Sequence, residues 1–343
     1  MDTQVTPLVT FVVPCYNSAA YMERAVDSLL EANHPCEILL INDGSTDKTH
    51  EIACSYAERF QNVRAIDQAN ANWGGAVNHG LELARGTYFK VVDSDDRLDA
   101  DELHRTLDAL ANLVQGDDRP DLLVTDYVYD HLPTGTRRIM GYSAFMPEGH
   151  VFAWHEMEKP RFGTYIMIHA CWFSTEVLRA SGVCLPTGMP YTDSLLLLQP
   201  LLHVKSLAYL NSAPYLYAIG REDQSIDKNV IARHIDDQLA VTRMAIDLVD
   251  YAELYARERR LAELMSGYML CMVSVSTLNL LLIGSRDALR KNDELWAYLK
   301  ARNPVLYRKV KYSWVGLSNR RTALGRFLAL HGFALVKRIY KLA

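Results

Sequence analysis

The stretch Val91-Val92-Asp93-Ser94-Asp95-Asp96 decides the fold of this chain and points to its chemistry. It closes a largely apolar run, Tyr88 to Val92, with four residues of which three are carboxylates. Acids this close repel one another, and a strand end that tolerates them usually holds a cation. Two carboxylates at i and i+2, just past the carboxyl end of a buried strand, stand where open α/β sheets bind ligands, and they can share a hard divalent ion and a ribose. The same residues suit a solvated acidic loop or a helix cap, because Asp99, Asp101 and Glu102 follow and precede a helical stretch. The surrounding sequence has to separate the two readings.

Upstream, strand and helix signals alternate four times. Leu8 to Val13 is a short β-branched run stopped by Pro14, after which Asn17 or Ser18 can cap a helix carrying Met22, Val26, Leu29 and Leu30 on one face. His34-Pro35 ends that helix before the apolar run Ile38 to Ile41. Gly44-Ser45 opens a second helix with Ile52, Tyr56 and Phe60 inward, leading to Val63–Ile66; Gly74-Gly75 starts a third, stopped by Gly86. This alternation predicts an α/β fold with a mostly parallel, twisted sheet covered on both faces and a ligand crevice at the strand carboxyl ends. Further on, a helix over about 103–114 and a strand at 122–124 precede a hairpin pattern at 127–142 around Pro133-Thr134-Gly135, so the second half of the sheet is expected to be mixed. A short helix at 175–180, a buried apolar helix at 195–202 and a strand at 207–217 complete this part.

From Val230 onward only helical signals remain, giving an expected boundary between a catalytic domain at 1–227 and a helical domain at 228–343. Leu264 to Ser285 has no charged residue, long enough to raise a membrane span, but its serines, Thr277 and Asn279 favour a buried helix pair. The six cysteines form no CxxC pair and the first residues lack a leader pattern, which suits a reducing cytoplasm. Net charge is −5, yet 295–343 holds eleven Lys or Arg and no acid, leaving −16 on everything before it.

Four short stretches fall at strand ends: Pro14-Cys15-Tyr16-Asn17, Asn42-Asp43-Gly44-Ser45, Asn72 to Asn78, and Asp93-Ser94-Asp95-Asp96. Together they supply an aromatic face, carboxylates for base or ribose, and metal ligands. In order and spacing, VVPCYN, LLINDGSTD, NANWGGAVNHGLELARG and VVDSDD resemble the family 2 glycosyltransferases, inverting enzymes of the GT-A fold that use nucleotide-diphosphate sugars. The resemblance is strong over about 8–100 and weak over 100–227. It implies a Rossmann-like mixed sheet with helices on both faces, followed here by a helical C-terminal region. It also implies that Pro14, Tyr16 and Asn17 belong to the base pocket, with Tyr16 stacking on uracil, and that Asp43 hydrogen-bonds the base. Asn78 would pass close to the nucleotide, Asp93 and Ser94 would serve the ribose and metal shell, and Asp95 would ligate Mn²⁺ or Mg²⁺ with Asp93. Arg97 is the one basic side chain close to the motif in sequence. Two positions depart from the family pattern, Asn42 in place of Asp and Val77 in place of Arg.

Inverting transfer needs a base to take the acceptor hydroxyl's proton. Met189-Pro190-Tyr191-Thr192-Asp193-Ser194-Leu195 matches the place of the family's Glu-Asp pair, with Thr192 for the Glu, so the resemblance implies Asp193 as base; an N-cap of the following helix is the other use of that residue. Tyr215-Leu216-Tyr217, Arg221 and Gln224-Ser225 resemble the family's lid segment, with Arg221 clamping the diphosphate. The local alternatives are a helix cap for Asp43 and a core position for Tyr16; Cys15 has no neighbouring His in sequence and reads as a spectator.

The expected activity is transfer from a UDP-sugar to a hydroxyl of a glycan, polymer or lipid-linked acceptor in cell-surface polysaccharide synthesis. A non-catalytic sugar-nucleotide or polysaccharide-binding module is the alternative. The basic tail, interleaved with Trp314, Phe327, Phe333 and several leucines, is expected to hold the protein on the inner face of an anionic membrane, and no nucleic-acid motif accompanies it.

Overall fold

The computed structural model describes residues 6–116, 119–161, 163–220 and 233–319. Two compact units result, one of residues 1–158 with 166–219 and one of 159–165 with 220–343. The division at 219/220 lies close to the expected 227/228, but the sequence carried no sign that 159–165 joins the second unit.

The first unit is built on a nine-stranded mixed sheet. Its elements are β1 (Val9–Cys15), α1 (Met22–Leu30), β2 (Cys36–Asp43), α2 (Thr49–Arg59), β3 (Val63–Gln68), α3 (Asn72–Leu83), β4 (Tyr88–Val91), β5 (Arg97–Leu98), α4 (Ala100–Gln115), β6 (Leu122–His131), β7 (Thr136–Met140), β8 (Cys171–Ser174), α5 (Thr175–Ala180), α6 (Asp193–Leu201) and β9 (Leu207–Ile219). The strand order is β3-β2-β1-β4-β8-β6-β9-β5, with β7 paired to β6. β3, β2, β1 and β4 run parallel, as continuous apolar runs predict, and every residue of β1 and β2 is buried. Beyond β4 the sheet turns mixed: β8 is antiparallel to β4 and to β6, while β9 is parallel to β6. The predicted hairpin forms between β6 and β7, with His131 opposite Thr136 and Gly135 at φ +65°.

Helix starts differ from expectation in two places. α1 begins at Met22, not at an Asn17 or Ser18 cap, and only the Ser18 carbonyl serves its first turn. α2 begins at Thr49, whose N–H is accepted by Asp47 at 2.9 Å, leaving Gly44 and Ser45 in a loop. Both shifts free the residues after β1 and β2 for the crevice.

The second unit contains α7 (Ile235–Asp247), α8 (Tyr251–Arg257), α9 (Arg259–Ile283), α10 (Arg286–Arg302), α11 (Pro304–Lys311) and α12 (Trp314–Ser318). α9 covers the uncharged stretch as one helix of 25 residues rather than a pair. It is long and apolar enough to cross a membrane by composition, and half of its most apolar window is buried within the protein. Its C-terminus stops at Gly284, which takes φ +65°.

Candidate active site

Three neighbouring parallel strands deliver the site. β1 lies between β2 and β4, with Cys15 level with Asn42 and Val12 level with Val91, so the segments after all three strands open at the same sheet end. A cavity of about 240 Å³ forms there, lined by Pro14, Tyr16, Ser18, Asp43, Trp73, Asp93, Ser94 and Asp95 among others. Tyr16 is 52% exposed, which excludes the core reading and leaves its ring free as a platform at the cavity.

Asp43 is buried, and its Oδ1 accepts from Gln68 Nε2 at 2.7 Å and from the Ala71 N–H at 2.8 Å. It therefore ties β2 to the loop before α3 and does not cap α2. Asn17 is held at φ +49°, with its Oδ1 accepting from the Thr46 N–H at 2.8 Å. Its role in this geometry is to join the loops after β1 and β2. Ser94 is buried with its Oγ 2.7 Å from that of Ser18. Both ends of the Asn78 amide are engaged by Leu185: Nδ2 donates to its carbonyl at 2.8 Å and Oδ1 accepts from its N–H at 2.9 Å. Asn78 thus anchors the segment that leads to Asp193. Arg221 lies outside the described residues, as do Gln224 and Ser225.

The acids at the end of β4 divide by partner. Asp93 accepts from Trp73 Nε1 at 2.7 Å, and burial, then the neighbouring charge of Asp95, pushes its pKa up to about 7. Asp96 is fully buried, with Oδ2 accepting from Tyr215 Oη at 2.6 Å and Oδ1 from the Ala218 N–H at 2.8 Å. Burial and the two nearby carboxylates hold its pKa well above the usual range. Ligand atoms of Asp93, Asp96 and His169 lie within 4.8 Å of one another. Asp96 is nevertheless taken by β9, and burial drives His169 down to about 3, a neutral ring lying 4.7 Å from the Tyr215 ring and 4.4 Å from that of Tyr217. Asp93 and Asp95 both line the cavity and offer oxygen donors of the kind a hard divalent ion takes.

Sequence reasoning missed Lys90. It is the one charged residue of β4, fully buried, and its Nζ donates to the carbonyls of His169 and of Cys171, the latter at 3.2 Å. Burial lowers its pKa to about 7. The ammonium lies 5.0 Å from the ring centres of both Trp172 and Tyr215. A lysine inside an apolar parallel strand was the available signal. Arg97, the one basic side chain close to the motif in sequence, pairs with Asp130 at 3.1 Å, while Arg24 Nη2 donates to the Asp95 carbonyl at 3.0 Å. Arg97 is therefore not the one basic group near the motif. Cys15 is buried, which pushes its thiol up to about 12 and fits a spectator.

Asp193 is the first residue of α6, preceded by Tyr191 at φ +67°. Burial raises its pKa, and its charge is among those that act on Asp93 and Tyr217. Gly74 lets the segment before Asp193 pack close: a Cβ there would meet the Pro186 carbonyl at 2.7 Å and Thr192 Oγ1 at 2.8 Å. The Thr192 hydroxyl, at the position of the family's Glu, is buried without a hydrogen-bond partner among the described residues.

The family model for glycosyl transferase family 2 matches residues 10–117, which span β1 to the end of α4. The match covers 10–117 of the 343 residues, and over that stretch the chain is similar to family 2 glycosyltransferases. The uncharacterized glycosyltransferase EpsJ of Bacillus subtilis is 46% identical over 91 residues, 26% of each chain, and YibD of Escherichia coli is 40% identical over 94 residues, 27% of each. The match thus spans about a quarter of these relatives' length. Among solved structures, S. aureus TarS 1–349 in complex with UDP-GlcNAc superposes with a TM-score of 0.67 at 17% identity, covering 97% of this chain and 91% of that one. The fold of the first unit is accordingly GT-A, and the helical region follows it in sequence.

Proposed function

We propose that this protein is a metal-dependent inverting glycosyltransferase that moves a sugar from a UDP-sugar to an acceptor hydroxyl on a glycan, polymer or lipid-linked chain of the cell surface. The observation that carries the reading is one cavity joining the exposed Tyr16 ring, buried Asp43 and the carboxylates Asp93 and Asp95. Tyr16 stacks on the base, Asp43 faces its polar edge, and Asp93 and Asp95 hold Mn²⁺ or Mg²⁺. An ion held by these two residues would supply charge neutralisation to the leaving diphosphate, so no second carboxylate would be needed to protonate it. Asp193 takes the proton of the acceptor hydroxyl as that oxygen bonds to the anomeric carbon and the carbon–phosphate-oxygen bond breaks. Its raised pKa makes it a stronger base than a surface aspartate. UDP as the nucleotide is supported by the complex in which TarS was solved.

Metal-dependent release of UDP from a panel of nucleotide sugars tests the activity against the non-catalytic binding alternative. Asp95→Ala should abolish metal-dependent UDP binding, and Asp193→Asn should keep that binding while slowing transfer by roughly 10²- to 10⁴-fold. Unchanged UDP affinity in Asp95→Ala, or full turnover in Asp193→Asn, overturns the assigned roles.

Peripheral attachment to the cytoplasmic membrane face is proposed on the tail composition alone, since residues 320–343 lie outside the described residues. Sedimentation with anionic but not neutral vesicles, reversed by salt, checks it.

A further inference from the structure

A cavity of about 820 Å³ is lined by residues of the helical unit. Four cations surround it, Lys159 and Arg161 from the 159–165 segment, Arg259 at the start of α9, and Lys309 of α11. One carboxylate, Glu263, shares the lining, and Arg259 and Arg260 already hold it at 3.3 and 3.1 Å. Like charges gathered on one concave wall repel one another and raise the local concentration of anions.

We infer that this cavity binds a phosphate group carried on an organic ligand. Lys309 is the first reason. Its Nζ donates to Tyr255 Oη and, at 3.2 Å, to Ser266 Oγ, and lies 4.5 Å from the Tyr255 ring centre. Both partners are neutral, so the ammonium is oriented without being neutralised, and one of its three donors is left over. Neither Lys159, Arg161 nor Lys309 has a carboxylate within ion-pair distance among the described residues. Lysine and arginine converging from separate elements suit a tetrahedral oxyanion, which offers acceptors in several directions, better than a planar carboxylate.

The cavity's geometry is the second reason. A Cβ on Gly267 would lie 2.2 Å from the Thr164 carbonyl, so the segment bearing Lys159 and Arg161 is seated directly on the α9 backbone rather than hanging beside it. Its backbone position is set by packing, and Lys159 and Arg161 reach the cavity lining from it as exposed side chains. A volume of about 820 Å³ also exceeds what a bare phosphate fills, since a water takes about 30 Å³ of liquid. Pro160, Leu270 and the Tyr255 ring provide the wall for the organic part.

Calorimetric titration of the full chain in EDTA, which removes metal-held phosphate from the acidic site, tests the inference. The probes are pyrophosphate, glycerol 3-phosphate and octyl phosphate. Saturable one-to-one binding below about 5 mM is expected for at least one phosphoester, weakened about tenfold by Lys309→Gln and by Arg161→Gln. Preference for octyl phosphate marks an amphiphile as the source, and equal binding of glycerol 3-phosphate marks a soluble phosphoester. Arg161 is exposed and outside any helix or strand, so its variant reads binding even if Lys309→Gln alters folding. Failure of all three probes to saturate, or unchanged affinity in Arg161→Gln, overturns the site.

Discussion

At the end of β4 three carboxylates stand within four residues, and the fold meets them with fixed partners: Tyr215 and the Ala218 N–H on Asp96, Trp73 on Asp93, and Lys90 buried beneath. The basic cavity of the helical unit gathers four cations and meets Lys309 with only a phenol and a hydroxyl. In the first region one part of the like charge is locked by the fold and another part faces the cavity. In the second the charge is oriented but left largely uncompensated. The difference teaches how to tell structural charge from charge kept for a ligand: the former has spent its hydrogen bonds inside the protein.

Lys90 gives the largest expected break in that contrast. Replacing it with Met removes the donor to the His169 and Cys171 carbonyls and leaves Asp93 and Asp96 without their buried countercharge. Loss of one member of a buried charge cluster costs about 3 kcal/mol or more. Chemical denaturation followed by tryptophan fluorescence should show this, with Trp172 against Lys90 as a reporter. A loss under about 1 kcal/mol would mean that Asp96 is satisfied by Tyr215 and Ala218 alone.

Much of this architecture is legible in the sequence. The parallel half of the sheet follows from Leu8–Val13, Ile38–Ile41 and Tyr88–Val92, whose apolar runs permit little except burial on both faces. The cavity residues Pro14, Tyr16, Asp43, Asp93, Ser94 and Asp95 are legible because each stands at a strand end, and the parallel topology brings those ends together. Long-range pairing was not legible. That Asn78 reaches Leu185, that Arg97 turns to Asp130, and that Asp96 belongs to Tyr215 across 119 positions depend on which loops meet, and no local periodicity encodes that. The described residues of 159–165 form no helix or strand, so neither the segment's seat on Gly267 nor the basic cavity it completes could be read from spacing.

The acidic region sharpens the contrast through pH. Asp93 rises from the ordinary 3.8 to about 7, so the folded protein keeps a proton that the unfolded chain releases between those values. The stability linked to that proton is complete below about pH 4 and is lost as pH rises through about 7. Asp93→Asn stays neutral throughout, and its Oδ1 can still accept from Trp73. In EDTA the variant should match wild type near pH 4 and exceed it above pH 8, with about 4 kcal/mol as the ceiling that a rise of about 3 pH units sets, read from denaturation midpoints across pH. Mn²⁺ or Mg²⁺ should then raise wild type at pH 8 and leave the variant nearly unchanged. A constant offset at every pH would show that Asp93 carries the same charge in both states and is not held in a crowded acidic site.

Lys309→Met probes the basic region, where the smallest effect is expected. Tyr255 Oη and Ser266 Oγ lie 2.9 Å apart, and Ser266 also donates to the Glu263 carbonyl at 3.0 Å, so removing the ammonium leaves no buried polar atom stranded. The variant loses a contact over the Tyr255 ring, about 0.5–1 kcal/mol for a partly exposed cation, and gains relief from the repulsion of Arg259, Arg161 and Lys159. These oppose each other, and the net change in stability should stay within about 1 kcal/mol of zero, against about 3 kcal/mol for the same substitution at Lys90. High salt should narrow even that small difference, because the repulsion it removes is already screened. A loss of more than about 2 kcal/mol would place Lys309 with Lys90 as charge spent on the fold, and the cavity would then hold one cation fewer for a ligand.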